Sequence, residues 1–251
     1  MHVGNDIVDL ASPYVKEKSD DRKFVQRVLT PRERQALLNC DNPDNLLQVF
    51  WAAKEAAYKV TVKHCPRVSS APRRYDVCLD TPECGRDLRG WVKTPSGLVH
   101  IAARQNPEFV HCVGTETVLA DKTVVCAVET NDDHPQPDFC RCSESQSRMV
   151  RASARIKIAA LLSLSENAVT ITKPHQEKRS LFPEVYVKGE KTNISISFSH
   201  DGRFIAYALL FPIYPPDLRK CPSIYTGRHS ERVSDQKCDF FRPVKKNGDL
   251  R

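Results

Sequence analysis
Several absences narrow what this chain can be. No apolar run approaches the roughly 18 residues a membrane span needs, so no membrane association is expected. The start, Met1-His2-Val3-Gly4-Asn5-Asp6, has no basic stretch leading into an apolar core, so no signal peptide and a cytoplasmic location are expected. The 10 cysteines never form Cys-x-x-Cys, and without a secretory context reduced thiols are the expectation. Cys140-x-Cys142 near His134 is the one cluster with a zinc-like look, but it lacks a second ligand pair at standard spacing. Aromatic content is only 8% and no recognised nucleic-acid motif is present, which argues against nucleic-acid binding.

What is present is ordinary for a globular protein: 251 residues, 40% apolar and 27% charged. That length suits one large domain or two small ones. The formal charge of +7 favours an anionic partner: a phosphorylated cofactor, an acidic protein or nucleic acid.

The stretch Phe50-Trp51-Ala52-Ala53-Lys54-Glu55-Ala56-Ala57-Tyr58-Lys59 organises the rest. It reads as helix, rich in Ala and free of Gly and Pro. Asn42-Pro43 supplies a start, and the helix is expected from Pro43 to about Lys63. Leu46, Val49, Phe50, Ala53, Ala57 and Val60 fall on one stripe. Glu55 and Lys59, four apart, share another face, where an exposed ion pair is the bland reading.

Val3 to Leu10 reads as a strand with Asp6 inside it, and a buried carboxylate needs a partner or a metal. Asp21 to Asn39 reads as helix broken at Thr30-Pro31, where Thr30 and Glu33 form a capping box. Strands are expected at 75–80, 90–92, 98–102, 109–113 and 123–128, with a hairpin at Thr94-Pro95-Ser96-Gly97. His111 is expected to be a core histidine. Residues 131–144 read as a linker. A helix over 145–164 is expected to bury Met149, Ala152, Ile156, Ala159 and Leu162, and to carry Arg148, Arg151 and Arg155 on another face, either solvated or phosphate-binding. Strands follow at 168–172, 184–187, 192–199 and 204–211. Ser199-His200 then sits beside the Asp201-Gly202 turn, where a ligand can be met. From 212 onward the apolar pattern stops, and nine Lys/Arg stand against five Asp/Glu; a disordered basic tail is expected.

Three segments together resemble the 4′-phosphopantetheinyl transferase superfamily. Gly4-Asn5-Asp6 is similar to its G-x-D strand, Trp51 to Lys59 to its W-x-x-K-E-A-x-x-K helix, and Ser197-Phe198-Ser199-His200-Asp201-Gly202 to its S-x-S-H-x-G segment. Phe24 to Glu33 resembles the F-x-x-R-x-x-T-x-x-E stretch between the first two. The motif order is that of the short holo-acyl-carrier-protein synthases, while the length suits the larger two-half members. The resemblance implies an α+β fold of two similar halves packed as a pseudo-dimer: residues 1–130 with G-x-D and K-E-A, a linker over 131–144, and residues 145–211 with S-H. A monomer is the expectation, with a trimer the alternative.

The activity so implied transfers phosphopantetheine from coenzyme A to a serine of an acyl or peptidyl carrier protein, as in fatty acid biosynthesis, and releases 3′,5′-ADP. The resemblance assigns Asp6 and Glu55 to Mg²⁺, Glu55 and Lys59 to catalysis, and Lys59, Ser199, His200, Arg148 and Arg151 to coenzyme A. Lys54 is expected on the helix surface. Three departures stand out. Val8 occupies the place of a third acidic ligand, Phe182 that of a Lys, and Val60-Thr61-Val62 that of a Gly-rich turn. Asp9 should face away from Asp6 on the strand. The alternative is a non-catalytic module on the same fold that binds coenzyme A or a carrier protein.

Overall fold
The computed structural model describes residues 1–80, 87–117, 124–130, 143–172 and 182–211. Most of the expected linker, with Cys140 and Cys142, and the tail from 212 lie outside the described residues. The fold is α+β. Strand β1 (Val3–Asp9) is followed by helices α1 (Arg22–Val28), α2 (Pro31–Leu38) and α3 (Pro43–His64). Strands β2 (Asp76–Leu79), β3 (Asp87–Thr94), β4 (Gly97–Gln105) and β5 (Phe109–Thr115) then return to β1. They make an antiparallel five-stranded sheet in the order β1-β5-β4-β3-β2.

Local chemistry explains the helix starts. The Asn42 side chain accepts from the Asn45 amide, and Pro43 fills the first turn of α3. Thr30 and Glu33 form the reciprocal capping box of α2 around Pro31. The expected stripe of α3 is buried, but so are Leu47, Ala52, Ala56 and Val62. This helix is therefore an axle of the fold rather than a surface element.

Lys54 departs from its expected surface position: it and Glu33 are each 1% exposed, with a 2.8 Å ion pair between them. Its ammonium also donates to the Pro72 and Tyr75 carbonyls. Glu33 accepts from the Thr30 and Val77 amides. The pair thus ties α2, α3 and the entry to β2 together, and burial holds the Lys54 ammonium below its usual range. Lys54→Met should cost about 3–5 kcal/mol by stranding a buried carboxylate, and Lys54→Met with Glu33→Met should cost less than that single change. Urea unfolding midpoints of the two variants check this; a double variant less stable than the single one contradicts it.

The second part of the chain contributes β6 (Val124–Thr130), α4 (Ser143–Leu161), β7 (Val169–Thr172), β8 (Glu184–Val187), β9 (Glu190–Lys191), β10 (Ser195–Asp201) and β11 (Phe204–Leu210). These form two three-stranded sheets, β10-β11-β6 and β7-β8-β9. Strand β6 is expected within the first half, but it hydrogen bonds along β11. Strand β11 is buried at every residue. Ile205, Tyr207 and Leu209 face α4 through Val150, Ala154 and Ile158. Ala208 and Leu210 meet Val3, Ala102 and Val113 of the five-stranded sheet, and Phe204 and Ala206 meet Ile7. A strand covered on both faces reads as a continuous apolar run, as this one does. The layers run α3, five-stranded sheet, three-stranded sheet, α4.

The buried line of α4 differs from the expected one. Val150, Ala154 and Ile158 are fully buried, while Ala152 is exposed and Ile156 is 48% exposed. The sequence offers two apolar rows on one helix. Gln146 fixes the rotation by donating to the Gly202 carbonyl from the same row as Val150.

Candidate active site
The G-x-D strand reaches the K-E-A helix through a glycine. A Cβ on Gly4 would lie 2.1 Å from the Ala56 carbonyl oxygen and 3.0 Å from the Val60 amide nitrogen. Only a residue without a side chain lets β1 and α3 approach this closely. Alternation then turns Asp6 to the same side as Gly4. There Lys59 donates to Asp6 Oδ1 at 2.8 Å and to the Asn5 carbonyl at 2.8 Å. The Asp6 and Lys59 side chains are 14% and 28% exposed. The expected i,i+4 partnership of Glu55 and Lys59 yields to this one: Lys59 bonds a carboxylate on the strand.

Burial pushes the Asp6 carboxyl up despite the Lys59 ammonium beside it. Glu55 is pushed up first by burial, then by the charge of Asp6. Two half-buried carboxylates that raise one another, with one ammonium between them and the backbone, form a site short of positive charge. That all-oxygen donor set suits a hard divalent cation.

The strand β10 closes the other side of β1 without a backbone ladder. The amides of Val3 and Asn5 donate to the hydroxyls of Ser195 and Ser197, at 3.1 and 3.0 Å. Lys63 donates to the carbonyls of Val3 and Ile196, at 2.6 and 2.7 Å. Lys59 reaches the Phe198 carbonyl at 3.5 Å. Side chains thus do the work of a missing ladder, so the alternate serines of β10 have a structural purpose.

Ser199 belongs to that seam. Its hydroxyl is buried and accepts from Asn5 Nδ2 at 2.9 Å. Asn5 Nδ2 also lies 3.3 Å from His111 Nε2. His111 is the buried core histidine expected, held neutral by burial with its pKa near 3. The Ser199 hydroxyl therefore faces Asn5 in this seam, as alternation along β10 requires.

His200 points the other way and is exposed. Partial desolvation of its ring, then the Lys59 charge, holds the imidazole below its usual value, and the fields of Asp6 and Arg151 also reach it. Arg151 lies over the Phe198 ring at 5.7 Å and donates to the Ser147 carbonyl and hydroxyl. Asp6, Glu55, Lys59, His200 and Arg151 are thus brought into one electrostatic neighbourhood. Arg148 is exposed one turn before Arg151 on α4. Arg155 pairs instead with Glu166 at 3.5 Å.

The glycine of the S-H segment has its own reason. Gly202 adopts φ +49°, and a Cβ there would meet Asp9 Oδ2 at 2.4 Å. Asp9 does face away from Asp6. It receives Arg203 Nε at 3.0 Å, Nη2 at 2.8 Å and the Arg203 amide at 2.9 Å. In return the Asp9 amide donates to Asp201 Oδ2 at 2.8 Å. This exchange locks the end of β1 to the turn after His200. Sequence reasoning missed Asn5, Lys63 and the Asp9–Arg203 clamp; Asp9 and Arg203, inside or beside quoted motifs, were the available signal.

The G-x-D strand, the K-E-A helix and the whole of α2 fall within residues 2–85, and that segment matches the family model of the 4′-phosphopantetheinyl transferase superfamily. No curated protein matches the chain. Among the described residues, no helix is long and apolar enough to cross a membrane. The family acts on carrier proteins with coenzyme A as substrate, and phosphopantetheinyl transfer is the general activity the match supports. With its two first motifs packed together around Gly4, this chain carries a 4′-phosphopantetheinyl transferase superfamily domain over residues 2–85.

Proposed function
We propose that the chain moves 4′-phosphopantetheine from coenzyme A to the serine of an acyl or peptidyl carrier protein and releases 3′,5′-ADP. The observation that carries this is the convergence of Asp6, Glu55 and Lys59 with His200 and Arg151 from the far end of the chain. The serine oxygen forms a bond to the phosphorus bearing pantetheine, and the bond from that phosphorus to the oxygen of the adenosine-bound phosphate breaks. Phosphoryl chemistry of this kind depends mainly on positioning and charge neutralisation. Asp6 and Glu55 would hold Mg²⁺, which supplies charge neutralisation at the pyrophosphate.

Glu55 takes the serine proton, directly or through a water. Lys59 offsets charge on the leaving phosphate, keeping Asp6 as its anchor. His200 and Arg151 hold coenzyme A phosphates, and Arg148 extends that basic edge on α4. The positive net charge suits an acidic carrier surface. Because one chain supplies both sides of the site, a monomer with two packed halves is the assembly this reading favours.

Purified protein mixed with coenzyme A, Mg²⁺ and apo-carrier proteins, followed by intact mass, tests the reading. A phosphopantetheine mass gain is expected on at least one carrier; none across acyl and peptidyl carriers would sink it and favour the non-catalytic alternative. His200→Ala should raise the KM for coenzyme A about tenfold, the loss of one charged hydrogen bond of roughly 1.5 kcal/mol. Free His200 titrates below its usual value, and bound phosphate favours its cation. Coenzyme A affinity should therefore weaken as pH rises above the point where free His200 loses its proton, and His200→Ala should flatten that slope. An unchanged slope contradicts the assignment.

A further inference from the structure
One cluster of ligating side chains lies outside the transferase site. His2 precedes β1, His64 ends α3 and Glu116 follows β5. Their ligand atoms all lie within 4.8 Å of one another. His64 Nδ1 is 3.0 Å from Glu116 Oε1. The His2 amide donates to Glu116 Oε2 at 2.8 Å, which fixes that carboxylate against the start of the strand. The two imidazoles stack at 6.1 Å between centroids.

We propose that His2, His64 and Glu116 form a site for a divalent transition-metal cation of the zinc type. Two imidazoles and one carboxylate, with a fourth position open to solvent beside exposed His64, are a familiar zinc donor set. Zinc bonds of about 2.0–2.2 Å need ligand atoms roughly 3.3 Å apart, so only small side-chain rotations separate the cluster from coordination. The opposing charges are the Met1 amino terminus, 3.7 Å from Glu116 Oε2, and Lys63, adjacent in sequence to His64. The Lys63 ammonium is engaged by the Val3 and Ile196 carbonyls, at 2.6 and 2.7 Å.

The position gives such a cation a purpose. β1 carries Asp6 and begins just after His2, and α3 carries Glu55 and Lys59 and ends at His64. A cation at the cluster clips these two elements at one end while the transferase site lies between them at the other. It therefore acts as a structural staple that fixes the register of Asp6 against Glu55 and Lys59.

Full-length protein without a polyhistidine tag is stripped with chelator, then titrated with ZnCl₂ by calorimetry and with CoCl₂ by visible absorption. One zinc per chain is expected, with a raised melting temperature and the intense visible bands of four-coordinate Co²⁺. His64→Ala and Glu116→Gln should each weaken zinc binding at least tenfold, the scale of even outer-shell losses at such sites. Both should melt like wild type in chelator. Asp6→Asn should keep the zinc site. No zinc binding by the intact chain overturns the proposal. So does binding that survives both cluster variants, or that is lost in Asp6→Asn alone.

Discussion

Glu55→Gln should lower phosphopantetheine transfer by at least about 100-fold at saturating coenzyme A, carrier and Mg²⁺, from loss of the base alone. The amide keeps the shape of the side chain but cannot take a proton and is a weaker cation ligand. Folding should move the other way. The folded-state carboxyl lies above its ordinary 4.5, raised by burial and by Asp6. Ionised Glu55 therefore costs stability. That cost is absent below the unfolded value, grows as pH rises toward the folded one, and is constant above it. In metal-free buffer at neutral pH, Glu55→Gln should melt at or above the wild-type temperature, and the difference should vanish at acid pH. Rates from intact mass and melting curves across pH separate the two effects. A variant with near wild-type turnover would remove Glu55 from the chemistry. A neutral-pH melting point well below wild type would remove the account of its strained charge.

Gly4→Ala should be among the most damaging single methyl additions at the described residues. The added Cβ would sit 2.1 Å from the Ala56 carbonyl oxygen, a backbone atom inside α3 that no rotamer change can move. Side-chain overpacking costs about 1–3 kcal/mol where neighbours can adjust, so at least about 3 kcal/mol is expected here. Any protein that folds must hold α3 away from β1, which separates Lys59 from Asp6 and the Asn5 carbonyl. Transfer should fall even under conditions where the variant is folded. Urea unfolding and the intact-mass rate check both parts. A loss below about 1 kcal/mol with normal turnover would show that the two elements tolerate a wider spacing.

Short-range signals were enough to place the local elements and to single out the candidate site groups. Asn42-Pro43, the Thr30/Glu33 capping box, the Asp201-Gly202 turn and the alternation of β10 are short-range signals, and each acts through neighbours a few residues away. Asp6, Glu55, Lys59 and His200 could be picked out because their residue types recur at fixed spacing in recognisable motifs. Lys54 shows the limit. A lysine inside a helix motif reads as surface, and only the fold brings Glu33 from the preceding helix to within 2.8 Å of it. Ser199 shows it again: its motif suggests a ligand contact, but the packing of β1 against β10 gives its hydroxyl to Asn5. The α4 stripe was right at Ala159, and at Met149 and Leu162 beside the core, but wrong at Ala152 and Ile156, because two apolar rows on one helix are equivalent until another layer covers one of them. Long-range partnerships across 50 to nearly 200 residues, such as Lys59 with Asp6 or Asp9 with Arg203, leave no trace in local pattern. The tertiary structure decided which face each charge was given, because burial penalises an unpaired charge and only the packed layers determine what lies within reach to pair it.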